Sequence, residues 1–428
     1  RVKKENRWGN FPSISAAWRI SKERFFAPVK WVDDLKVRAS YGTLGSLNIG
    51  YWDYAPVINT FLTATFGTEQ LQQNAAIQTN LVNENLKWES QTQLDFGFDA
   101  TAFNNRLTFS ADYYISKTKD VLTAMPILMT TGNGAGNPVV NAASLENRGF
   151  EFSFGWREKR KDFSYYANLN FSTVKNKVTS LGYGRVDIIS GQGRTAVGRP
   201  IGEFYLIKTD GIFQNDGEIQ SYKNSEGKVI QPDAKPGDIK YIDFNDDGKI
   251  TDADRQVLGS PHSLFQAGIN MGFAWKNFDL KMNWFMDIGS DVFNATKQYM
   301  IGADAAGNGD SNYLKNFNYW TPERPTNIPR PIAGKITNRR DSDYWLENGS
   351  WVKLKTLSIG YTIPEKLLHK IHFNTCRVYV TCQNLLTISS FSMQDPEYRK
   401  DNIWNKGYRG VAAYPNPFAI NFGVQFQF

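Results

Sequence analysis

Residues 243–254, DFNDDGKITDAD, hold the tightest spacing of oxygen-bearing side chains in the chain. Asp243, Asn245 and Asp247 fall at positions 1, 3 and 5 of a twelve-residue loop. Gly248 at 6 permits a sharp turn, Lys249 at 7 can present its backbone carbonyl, and Asp254 closes the loop at 12. A hard cation needs that many oxygens, so Ca2+ is the expected ligand of Asp243, Asn245, Asp247, Lys249 and Asp254. Asp at position 12, where the consensus has Glu, implies a looser last ligand, and Ile250 at position 8 is expected to anchor the loop to what lies beneath it. A metal-free acidic turn is the alternative reading, because Asp, Asn and Gly favour turns by themselves. Pro236 and Gly237 before the loop, and Gly259 and Pro261 after it, leave no room for the flanking helices of a helix-loop-helix hand.

The rest of the chain is poor in reactive constellations. Its three histidines, His262, His369 and His372, show no triad or zinc spacing, so an enzyme is not expected. The two cysteines, Cys376 and Cys382, fall in one predicted strand, roughly 20 Å apart and out of disulfide reach. The formal charge of +7 is spread over 49 basic and 42 acidic residues with no basic helix or aromatic-basic motif, which argues against a nucleic-acid partner. The densest basic run, 157–161, reads as a solvated turn. Arg1 is not a start methionine and no leader follows it, so the sequence reads as a fragment.

At 428 residues the chain exceeds a usual single domain unless it is a barrel. Aromatics reach 14% and glycines number 35, yet no run approaches about 18 apolar residues. A bilayer would have to be crossed by strands, whose apolar positions are diluted by alternation.

Period-two alternation runs through the whole sequence. Leu94, Phe96, Phe98 and Ala100 alternate with Gln93, Asp95, Gly97 and Asp99, and a turn at 103–106 leads into a matching strand from Leu107. The same unit returns at 150–171 and at 265–284. Further strands are predicted at 11–20, 35–42, 352–363, 376–386 and 418–428, giving about eleven. They are long and rich in aromatics near their ends. Short turns (103–106, 157–162, 276–277) alternate with long connections (43–87, 118–147, 175–264, 289–350, 388–417). These features predict an all-β, antiparallel transmembrane β-barrel rather than a soluble sandwich. Residues 202–213 would break the parity of crossings and are assigned to structure within the 175–264 loop. The C-terminal strand, ending on Phe426 and Phe428, resembles the terminal strand of outer-membrane proteins, whose last aromatic is an assembly signal, and the resemblance implies that this end lies in the periplasm. An odd strand count cannot close a single-chain bacterial barrel, so further strands are expected on another segment.

Several stretches resemble the SusC/RagA family of TonB-dependent outer-membrane transporters: RWGNFPSISAAWRI at 7–20, LKVRASYGTL at 35–44, NRGFEF at 147–152, VGRPIG at 197–202 leading to DGIFQ at 210–214, PGDIKY at 236–241 running into the acidic loop, and RVYVTCQNLL at 377–386. In the last, Cys382 stands where a glycine is expected. The resemblance implies that residues 1–428 are the C-terminal half of a 22-strand barrel, with the plug domain, the TonB box and the first strands lying upstream. It implies a bacterial outer-membrane location among outer-membrane lipids, and TonB-driven import of an oligosaccharide or peptide under a SusD-like lipoprotein lid. A passive porin or adhesive barrel without energy coupling is the alternative. On this reading 175–264 and 289–350 are long extracellular loops. Tyr299, Tyr313, Trp320 and Trp345 in the second either stack on sugar rings or pack within the loop. The acidic loop lies outside, where calcium would pin a large excursion.

Overall fold

Every second residue of a strand points to the same face, so alternating strands paired in register build a sheet with one apolar and one polar side. The computed structural model describes all residues except 79–80, 126–137, 185–186, 302–317, 332–336, 369–373, 394, 398–402, 411–413 and 428. Its main sheet joins eleven antiparallel strands in chain order. They are Ser13–Trp18, Val32–Ser46, Glu89–Ala102, Leu107–Ala124, Val139–Arg160, Phe163–Ser172, Phe265–Trp275, Phe278–Ile288, Trp351–Thr362, Thr375–Ser389 and Ala419–Gln427. All eleven predicted strands are present, and Lys175–Leu181 adds a twelfth off this path.

Register carries the two-faced pattern across the sheet. One row runs through Val37, Phe98, Ala111, Phe152, Phe171 and Ala267, and the adjacent row through Arg38, Gly97, Asp112, Glu151, Ser172 and Gln266. The apolar row belongs to a belt on which Phe96, Phe150, Ile359 and Phe422 stay exposed. A band of that size is uncovered only where its solvent is hydrocarbon. No described helix is long and apolar enough to cross a membrane, so the crossing elements are the strands.

Several boundaries differ from those expected. Connection 118–147 is much shorter, because its ladder continues to Ala124 paired with Val139. Val121, Val140, Ala142 and Ala143 there bury against Val178 and Leu181, so the strands are held together beyond the apolar belt. The basic run 157–161 is not a turn: Arg157–Arg160 lies in the ladder, and only Lys161 and Asp162 reverse the chain, with Lys161 at φ 45°. Connection 43–87 starts later, at the end of Val32–Ser46, and carries its own hairpin, Ile58–Phe66 with Leu71–Gln78. Residues 202–213 do stay out of the main sheet, as Glu203–Ile207 and Thr209–Ile212.

Three long connections fold together at one end of the sheet. Glu203–Ile207 pairs with Arg255–Gly259, and Asp291–Asn294 pairs with both Leu346–Asn348 and Tyr408–Arg409. Phe204, Leu206, Ile239, Tyr241, Phe293 and Trp345 share one buried core. The 175–264 and 289–350 excursions therefore share a single packed body.

Candidate functional site

The acidic loop sits in that body, between the strands Ile239–Tyr241 and Arg255–Gly259. Asp243 accepts from the N–H of Asp247 (3.2 Å) and of Gly248 (2.7 Å), while Asn245 Oδ1 accepts from Asp247 N–H at 3.2 Å. Gly248 takes φ 71°, as the sharp turn requires. Asp243, Asn245 and Asp247 are thus gathered round one turn, and Ile250 packs on the shared core as expected. Asp254 is fully buried. Its oxygens accept from Phe244 (3.0 Å), Asn245 (3.4 Å) and Thr251 (2.7 Å), and with Thr251 it forms a capping box on a single 3-10 turn, Asp252–Asp254. The loop therefore closes on its own backbone. Among the described residues no group of three His, Cys, Asp or Glu side chains converges as a metal-ligand set. Both oxygens of Asp243 and both of Asp247 accept from N–H groups, as do those of Asp254 at the twelfth position. No helix flanks the loop.

Sequence reasoning missed Asp246, at φ 60°, whose carboxylate accepts from Ser225 N–H at 3.0 Å and whose carbonyl accepts from Asn224 Nδ2 at 3.2 Å, tying the loop to its neighbour. The Ser225 contact holds the Asp246 carboxyl below the usual range. Beneath the loop, burial pushes the Tyr241 hydroxyl far up, so it stays protonated and donates to Thr337 O at 2.7 Å.

Among the described aromatics of 289–350, Trp320 and Trp345 are buried and Tyr299 is partly covered. Trp345 is fully buried with its indole N–H on Arg340 O at 3.1 Å, and Trp320 is buried with its own on Gln214 Oε1 at 2.7 Å. Tyr299 lies under Arg339, 5.2 Å from guanidinium to ring centroid. Self-packing is what the structure shows for these three; Tyr313 is outside the described residues, as are His369, His372 and Phe428. Phe426 lies on the last strand opposite Cys376, half-exposed. Cys376 and Cys382 are unlinked.

The polar face carries ion pairs that join adjacent strands or reach across one strand between them. Arg38 reaches Asp112 (2.7 Å) and Asp99 (3.1 Å), and Arg377 forms a two-pronged pair with Asp279 at 2.8 and 2.6 Å. At its loop end, Lys353 is buried, donating to Asp395 at 2.5 Å and to Glu397 at 3.0 Å, while Lys355 also pairs with Glu397. Charges at polar positions of adjacent strands foreshadowed Arg38 and Asp99. Nothing local links Lys353 to a carboxylate 42 residues away.

A strand-built sheet with an apolar exterior, an ion-paired opposite face and long folded connections at one end defines an outer-membrane β-barrel protein. The chain belongs to the TonB dependent receptor-like β-barrel family of the bacterial outer membrane, whose model matches residues 1–385. It is 33% identical over 442 residues to TonB-dependent receptor P3 of Formosa agariphila, covering 99% of this chain and 42% of that protein. With the TonB-dependent receptor SusC of Bacteroides thetaiotaomicron the identity is 27% over 447 residues, covering 100% of this chain and 41% of that protein. The chain thus spans less than half the length of these relatives. Among solved structures, the RagAB peptide importer in its closed-closed state superposes with a TM-score of 0.80 at 23% identity, over 100% of this chain and 44% of that one, which establishes the fold.

Proposed function

We propose that this chain is part of the barrel of a TonB-dependent importer that brings an oligosaccharide or peptide across the outer membrane, with a SusD-like lipoprotein as its lid. The observation that carries this reading is the packed body built from three long connections at one end of the sheet: a passive pore has no need of so large a folded surface, whereas a lid needs one to seat on. The ion-paired polar face supports a lumen. The test is uptake. Bacteria lacking the full-length receptor should fail to grow on one glycan or peptide pool as sole nutrient, and wild-type uptake should vanish when TonB is deleted. Uptake that persists without TonB would establish the passive barrel.

We further propose that the acidic loop takes Ca2+ through Asp243, Asn245, Asp247 and the Lys249 carbonyl, while Asp254, expected from the sequence as the last ligand, instead closes the loop by accepting from three backbone N–H groups. The gathering of three oxygen-bearing side chains round the Gly248 turn supports it. Chelation of the purified receptor should expose the loop to protease, calcium should restore protection, and Asp243→Ala with Asp247→Ala should abolish the difference. Equal protection with and without calcium would leave the loop a self-capped turn.

A further inference from the structure

On the loop side, the apolar belt ends in a groove of about 1160 Å³ that the proposed transport does not use. It opens where Phe163–Ser172 bends at Thr173 and Val174 into Lys175–Leu181, leaving a notch beside Leu264. Gly149 allows the bend, since a Cβ there would stand 2.0 Å from the Thr173 carbonyl oxygen. The floor is apolar: the Tyr113 and Phe150 rings lie 4.8 Å apart on the belt, and Leu264 is 71% exposed beside them.

The rim is basic. Arg148 and Lys175 are cross-strand partners, with Lys177 two residues further along the same face. Arg148 approaches Glu146 at 3.4 Å, but Lys117 shares that carboxylate at 3.6 Å, and among the described residues Lys175 and Lys177 make no ion pair. Among the described residues no Asp or Glu lines the groove itself, although Glu146 faces Lys177 across the ladder. His262 adds no cation: burial holds its pKa below the ordinary value, and its ring bonds Ile201 O at 2.7 Å.

Three neighbouring cations above an uncovered apolar floor call for a ligand that is anionic at one end and hydrocarbon at the other. A free anion would leave the floor bare. We propose that the groove holds a phosphorylated, acyl-bearing glycolipid of the outer leaflet, its phosphate on Arg148, Lys175 and Lys177 and its chains along Tyr113, Phe150 and Leu264. Which leaflet supplies it rests on the reading that the long connections face outward.

The test uses the full-length receptor in detergent, checked for folding by its heat-dependent gel mobility, and native mass spectrometry with three probes: bis-phosphorylated lipid A, lipid A without phosphate, and inorganic phosphate. The phosphorylated lipid should be retained. Arg148→Gln/Lys175→Gln/Lys177→Gln should weaken it at least about tenfold, and Lys159→Gln should not. Lys175→Gln alone should weaken it measurably, which serves if the triple variant fails to fold. Equal retention by the variants, equal binding of the phosphate-free lipid, or saturation by inorganic phosphate alone would each overturn the proposal. Separately, Glu226→Cys in the loop body should react with a membrane-impermeant maleimide on intact cells. Failure to label would overturn the outward reading, and the outer-leaflet assignment with it, whatever the mass spectra show.

Discussion

At the scale of single residues, Lys353 carries the heaviest electrostatic load. Its ammonium is buried against Asp395, whose other oxygen accepts from Asn416 N–H at 3.0 Å, so one lysine on the sheet holds the connection before the last strand. Lys353→Met leaves Asp395 buried without its cation, a loss of about 3 kcal/mol, at the lower end for a broken buried pair because Lys355 still serves Glu397. Hydrogen exchange at 391–397 should quicken while the main sheet stays protected. Burial raises the Asp395 and Glu397 pKa values, but Lys353, Lys355 and backbone N–H groups more than offset this, so both carboxyls titrate below their ordinary values. A depressed carboxyl stabilises fully above its unfolded pKa and loses that contribution as pH falls through the folded value. The connection should therefore be equally protected from pH 6 to 8 and open below about pH 4, near the unfolded carboxyl range. Opening between pH 6 and 7 would show that another group holds it.

At the scale of elements, the kink over Gly149 and the capped turn at Asp254 are each set by one residue. Gly149→Val drives a branched Cβ into a carbonyl oxygen that cannot rotate away, and the overpacking should cost about 1–3 kcal/mol. Less folded, heat-modifiable receptor should be recovered. Asp254→Ala removes the buried acceptor of three N–H groups, an expected loss of about 1–3 kcal/mol, and should speed proteolysis at 243–254 with or without calcium, unlike the Asp243 and Asp247 changes. The eleven long strands were legible because period two and aromatic placement are local signals. The ladder from Val121 to Val140 was not, because its partners are small residues buried by a third strand rather than by lipid. Nor was the outer body, whose strands of two to five residues are too short to show a period and pair across distances such as Phe204 with Gly259. The loop's ligand-like spacing was readable; the role of Asp254 as acceptor for backbone donors depends on the 3-10 turn beneath it.

At the scale of the whole molecule, the sheet is an arc with two open sides. Among the described residues Ser13–Trp18 pairs only with Val32–Ser46, and Ala419–Gln427 only with Thr375–Ser389. Each bare edge presents a row of N–H and C=O groups, and in hydrocarbon each unmet group costs several kcal/mol, so an arc of eleven strands is not a stable membrane structure by itself. Relatives more than twice as long as this chain have the length to supply the missing strands. Expressed alone in an outer membrane, residues 1–428 should be degraded or aggregate through those edges. Placed in the full-length receptor, cysteine pairs across the two outer edges, at non-hydrogen-bonded positions of Ser13–Trp18 and of Ala419–Gln427 with the strands facing them, should crosslink to a single closed species that keeps its heat-dependent mobility. Stable insertion of residues 1–428 alone as a monomer would show that the two edges meet each other, and that the closed barrel is half the size the family resemblance implies.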